Sequence, residues 1–128
     1  MIPSSVRTYL RTDTDVLAAF GQRIFVLYVP DGTAYPFAVI RTVTDPAFYT
    51  QDGESTRETI IQIDTFDDSL SDAYTNAGKI RDALTGYSGV IGSHTVGGIF
   101  VREGKDQWMS DARHFKVFYQ YVINWTVT

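Results

Sequence analysis

Few residues in this chain have the type and spacing to do chemistry. His94 and His114 are its two histidines, twenty positions apart. No second histidine stands at helical metal-ligand spacing from either, so each reads as a packed or solvated side chain. Ser88 lies in Gly86-Tyr87-Ser88-Gly89-Val90, which misses the last glycine of a nucleophile elbow and follows a helix instead of a strand. The glycines at 86, 89, 92, 97 and 98 match no dinucleotide or phosphate-loop spacing and read as turns and bulges. Asp64, Asp67, Asp68 and Asp72 gather at a strand end and helix start. They offer a cation site or, the reading preferred, capping and helix-dipole chemistry at an N-terminus. Asn124-Trp125-Thr126 spells a glycosylation acceptor inside an apolar-patterned strand, a context that removes that reading. No catalytic set, cofactor site or metal site is expected, and the chain reads as a non-enzyme.

The elements around these residues belong to a protein with its own core. The 128 residues are 44% apolar, enough to fill one domain over 1–128 without disulfides, and cysteine is absent. No apolar run approaches the ~20 residues of a membrane span, and the first residues lack a signal-peptide pattern. The expectation is a soluble, unprocessed protein made in the cytoplasm, with no membrane contact. A net charge of −4 argues against a groove built to hold DNA, which needs clustered Lys and Arg.

Read in order, Ser4 or Ser5 caps a first helix bearing Val6, Tyr9 and Leu10. Asp13 or Thr14 opens a short second turn ended by Gly21. Strands are expected over Arg23–Val29 and Pro36–Val43, separated by the Pro30-Asp31-Gly32 turn. Thr44–Thr56 is a polar hairpin tip carrying Phe48 and Tyr49. Arg57–Phe66 follows as a strand with two mixed faces, a pattern that places it centrally. Ser69 caps the main helix, with Asp72 three residues on, and Leu70, Ala73, Tyr74, Ala77, Ile80, Ala83 and Leu84 form its apolar stripe as far as Gly86. A glycine-rich connection, a strand over residues 98–103 and a polar connection from Glu103 to Ser110 lead to the final strand.

That final strand has the strongest pattern. Phe115, Val117, Tyr119, Tyr121, Ile123, Trp125 and Val127 alternate with mostly polar neighbours. At ~3.3 Å per residue it spans about 40 Å, roughly twice a typical strand, so part of it is expected to pair or pack outside its own subunit. The fold class expected is α+β: a mostly antiparallel or mixed sheet of about five strands, with an N-terminal helix and one long amphipathic helix on one face.

In their order, several segments resemble the tail completion or tail terminator proteins of long-tailed bacteriophages. These are Gly21-Gln22-Arg23-Ile24-Phe25, the Pro-Asp-Gly turn, Tyr35-Pro36-Phe37-Ala38-Val39-Ile40, Ile61-Gln62-Ile63-Asp64, Ile80-Arg81-Asp82-Ala83-Leu84 and the aromatic last strand. The resemblance covers nearly the whole chain. It implies a virion protein that forms a ring, usually of six copies, capping the head-proximal end of the tail tube. Such a ring stops tube growth and joins the tail to the head. The partners implied are further copies of the chain, the major tail tube protein and a head–tail connector or head completion protein, with assembly in the host cytoplasm and no cofactor. DNA is only passing cargo, and an acidic lining would not hold its phosphates.

The expected contacts to a neighbour or the tube are Phe48, Tyr49, Gln51, Asp52 and Glu54 in the first tip, and Glu103, Lys105, Trp108 and Met109 in the later connection. Both segments set large apolar residues among polar ones, as anchors within a rim are set. Two other readings remain open, a small-ligand-binding α+β module and another tail component such as the tube subunit.

Overall fold

The computed structural model describes residues 1–45 and 57–127. Its elements are α1 (Ile2–Leu10), α2 (Thr14–Phe20), β1 (Ile24–Val26), β2 (Phe37–Thr44), β3 (Arg57–Asp67), α3 (Leu70–Leu84), β4 (Gly89–Ile91), β5 (His94–Met109) and β6 (His114–Val127). The strands form one sheet in the order β1-β2-β3-β6-β5-β4. β1 runs parallel to β2, and every other neighbouring pair is antiparallel. The α+β class and the central place of β3 agree with the sequence, while the strands among the described residues number six instead of about five.

Local chemistry sets the helix limits. Asp13 caps α2 by accepting from the N–H groups of Asp15 and Val16, and Gly21 ends it at φ +59°. Ser69 Oγ accepts from Asp72 N–H at the start of α3. α1 begins earlier than expected. Met1 is its N-cap and Pro3 stands in its first turn, where a missing N–H costs no helical hydrogen bond, so neither Ser4 nor Ser5 is the cap.

The three helices among the described residues lie on one face of the sheet. Ile2, Val6, Leu10, Val16, Phe20, Ile80 and Leu84 meet Ala38, Ile40, Ile61, Ile63, Tyr121, Ile123 and Trp125 in one core. Each fully buried large side chain there contributes roughly 1.5–3 kcal/mol of hydrophobic stabilisation. A smaller cluster joins Ala73 and Ala77 of α3 to Val117 of β6. The small alanines let the helix sit close on the strand.

Two expectations about strands are corrected. β6 is paired along its length, to β3 from Phe115 to Trp125 and to β5 from His114 to Val127. Its length therefore serves its own sheet and offers no free edge. Residues 103–109, expected as a connection, are the second half of β5, held in register against the strongly patterned β6. Pairing has overridden a locally polar sequence. The glycine-rich connection likewise contains β4 and the start of β5.

Candidate assembly surface

The second face of the sheet carries no helix among the described residues, and its side chains fall into rows across four strands. Strand register places Phe37, Phe66, Lys116 and Gln107 in one row; Val39, Asp64, Phe118 and Lys105 in the next; then Arg41, Gln62, Gln120 and Glu103; and last Thr44, Ile60, Val122 and Phe100. The middle rows are tied together. Gln120 Nε2 donates to Gln62 Oε1 at 3.0 Å, Gln62 Nε2 donates to Asp64 Oδ1 at 2.7 Å, and Arg41 Nε stands 3.7 Å from Asp64 Oδ2. Gln62 and Asp64 are buried, so this chain of partners satisfies groups that water does not reach.

At one end of the face Tyr35, Phe37, Phe66 and His114 pack ring against ring, with Tyr35 Oη 2.9 Å from His114 Nδ1. Burial holds the His114 imidazole below the ordinary histidine range. At the other end Phe100 lies back over Gly98, where an added Cβ would stand 2.9 Å from Phe100 Cζ. The glycine lets the ring spread flat on the surface, and Phe100 remains 54% exposed.

The residues with chemical potential are used structurally. His94 sits edge-on to the Trp125 ring at 4.6 Å, and its Nδ1 is 3.0 Å from Ser5 Oγ. Burial and then the N-terminal amino group lower its pKa, against an opposing hydrogen bond with the Ile91 backbone. Among the described residues no carboxylate orients either imidazole. Ser88 is exposed between α3 and β4. Asp67 Oδ1 accepts from Asp68 N–H and Oδ2 from Asn76 Nδ2, so the acidic group organises the start of α3. Burial, then Asp68, push the Asp67 carboxyl above its ordinary range. Among the described residues no three His, Cys, Asp or Glu side chains converge as metal ligands, and no helix is long and apolar enough to cross a membrane.

With these features the chain matches the family model described as "Tail completion protein gp17" over residues 4–124. The chain belongs to the tail completion protein gp17 family. It is thereby a phage tail structural protein. Its fold is similar to a chain in a structure titled "Virion of native gene transfer agent (GTA) particle", at a TM-score of 0.77 and 16% identity, covering 98% of this chain and 94% of that one. No curated protein matches it in sequence.

On this tail completion fold the expected contact residues separate. Phe48, Tyr49, Gln51, Asp52 and Glu54 lie outside the described residues. Glu103 and Lys105 stand on the open face and pair with each other at 3.3 Å. Trp108 points to the helix side, with its ring 4.8 Å from that of Phe115, and is 49% exposed. Met109 pairs with His114 at the end of the hairpin. The later group is thus one strand with two faces, not one loop patch.

Sequence reading missed Leu27 and Tyr28, expected inside a first strand that in fact stops at Val26. Leu27 adopts φ +64°, its N–H donates to Ile40 O, and Tyr28 N–H donates to Val26 O, which closes a γ-turn on a bulky residue. A backbone conformation so sparsely populated costs about 1–3 kcal/mol for an L-residue other than glycine. No glycine or asparagine marks it in the sequence. The turn leaves Leu27 74% and Tyr28 73% exposed.

Proposed function

We propose that the protein closes into a ring, of six copies, that caps the head-proximal end of the phage tail tube, terminates tube growth and presents a surface to the head connector. The observation that carries this reading is the family match over residues 4–124. Its partners are then other copies of the chain, the major tail tube protein and a head–tail connector or head completion protein. Its place is the tail of the virion, after assembly in the host cytoplasm. The broad open face supports an assembly role, since the exposed and half-buried side chains around its buried Phe37, Val39, Gln62 and Asp64 suit a large protein contact better than a small ligand. A net charge of −4 agrees with DNA passing through the ring without being held. Phe48, Tyr49, Gln51, Asp52, Glu54, Glu103, Lys105, Trp108 and Met109 remain the proposed contact residues, in one 1–128 domain.

The test is the mass distribution of the purified protein, alone and mixed with preassembled tail tubes, by light scattering with negative-stain imaging. A finite ring, free or on one end of each tube, is the expected result. Open-ended polymers would indicate a tube subunit instead. A monomer that ignores tubes at every concentration, and whose melting temperature rises with a small ligand, would favour a binding module.

A further inference from the structure

Leu27, Tyr28 and Phe100 are among the most exposed apolar side chains of the protein. Leu27 and Tyr28 project beside β1, at one end of the strand order. Phe100, on β5, lies toward the other end. The two ends differ in shape. One is a knob raised by a strained γ-turn, and the other is a flat platform made by a phenyl ring lying over Gly98. Each also has an exposed charged residue close by in the sequence. Asp31 lies four residues beyond Leu27, and Arg102 lies two beyond Phe100; both are exposed and neither has an ionic partner among the described residues.

We propose that Leu27 and Tyr28 of one subunit dock on the Phe100 platform of a neighbouring copy, with Asp31 facing Arg102 across the contact. The inference rests on the ring reading above and names the patches that would close the ring. Two unlike patches at opposite ends of one sheet make a heterologous contact, which repeats head to tail and closes when the rotation per subunit allows. A two-fold contact of the knob with itself would leave the Phe100 platform unused. Backbone strain held in an exposed apolar segment also suits a site whose contacts are completed only on binding. The tail tube and the head connector are the competing occupants, and the experiment separates them.

The knob variant is Leu27→Gly with Tyr28→Ser. Glycine accepts φ +64°, so its monomer should melt no lower than the parent. The platform variant is Phe100→Ser, with Arg102→Glu as a second version that leaves the apolar surface intact. Ring formation by the parent and each variant is followed by sedimentation velocity, with and without tail tubes. Each variant alone should associate at least about 30-fold more weakly than the parent. A mixture of knob and platform variants retains one good pair of patches and should stop at a one-to-one dimer. Folded variants that form rings as the parent does, or a mixture that stays monomeric, would overturn the docking. Normal rings that fail to bind tubes would assign the knob to the tube and also overturn it. A parent that forms no ring, free or on tubes, would instead remove the ring reading itself, and this docking with it.

Discussion

Tyr119 lies across Gly104 of the neighbouring strand: a Cβ added at Gly104 would come within 2.6 Å of Tyr119 Cδ1. The same ring receives Arg81 of α3, whose Nη1 donates to Tyr119 Oη at 3.2 Å while the guanidinium stands 5.5 Å from the ring centroid. The missing side chain at Gly104 thus sets the ring position that ties α3 to the long hairpin. Gly104→Ala should destabilise the protein by about 1–3 kcal/mol through overpacking. Combining it with Tyr119→Ala should cost less than the sum of the two single changes, as a double-mutant cycle in urea would show.

Tyr121 gives a prediction of opposite sign. It is fully buried, and its hydroxyl has no hydrogen-bond partner among the described residues. Burial keeps the phenol neutral well beyond its ordinary range. Tyr121→Phe removes an unsatisfied polar atom and keeps the ring, so urea unfolding should show no loss, or a gain of up to about 1 kcal/mol.

The polar ladder on the open face should respond unequally along its length. Gln62 is buried and bridges two partners, so Gln62→Ala leaves both Gln120 and Asp64 short of a hydrogen bond and should cost about 1–3 kcal/mol. Arg41 reaches Asp64 only at 3.7 Å from a half-exposed side chain. Arg41→Ala should therefore cost under about 1 kcal/mol in the same unfolding experiment.

These contrasts mark what the sequence made legible. The alternation of β6 identified it as a strand, because burial on one face leaves a period of two in the residues themselves, and the mixed faces of β3 placed that strand centrally. The central place of β6 was not legible, since its length read as a free edge. Ser69 likewise declared its cap, and of Asp13 and Thr14, both offered by the sequence, Asp13 is the cap of α2. The second half of β5 was hidden because Glu103, Lys105 and Asp106 look like a loop until β6 pairs with them. Leu27 gave no sign of its left-handed backbone, since nothing in Phe25-Val26-Leu27-Tyr28 differs from an ordinary apolar strand. The ladder was visible only as two odd polar residues in β3. Its partners come from Arg41 and Gln120, which register alone brings alongside.

Both histidines make stability depend on pH in one direction. Each has a folded pKa lowered from 6.5, mainly by burial, so between the two values the unfolded chain binds more protons than the folded one. Their contribution is complete above the unfolded value and is lost as pH falls through it. Asp67, raised from 3.8, acts in the opposite sense in the window just above that value, where the folded chain holds more protons and its contribution falls as pH rises. Melting temperature should therefore drop from about pH 7.5 to about pH 5.5. A protein carrying His114→Phe, which keeps an aromatic ring in the cluster, together with His94→Gln should show a flatter profile over the same range.

Trp108 separates a residue that serves its own hairpin from one that serves an assembly. Its ring contacts Phe115, yet about half of it faces solvent, on the tip side of Asp106, where Tyr74 of α3 hydrogen-bonds. Half-exposure limits what the free monomer can lose, so Trp108→Ala should lower its unfolding free energy by no more than about 1–1.5 kcal/mol. If the exposed half is buried against a neighbouring copy or the tube, the same change should weaken ring formation or tube capping tenfold or more. Urea unfolding of the monomer and sedimentation with tail tubes, run on one preparation, give both numbers. A loss of several kcal/mol with unchanged assembly would assign the indole to the hairpin alone and remove Trp108 from the proposed contacts.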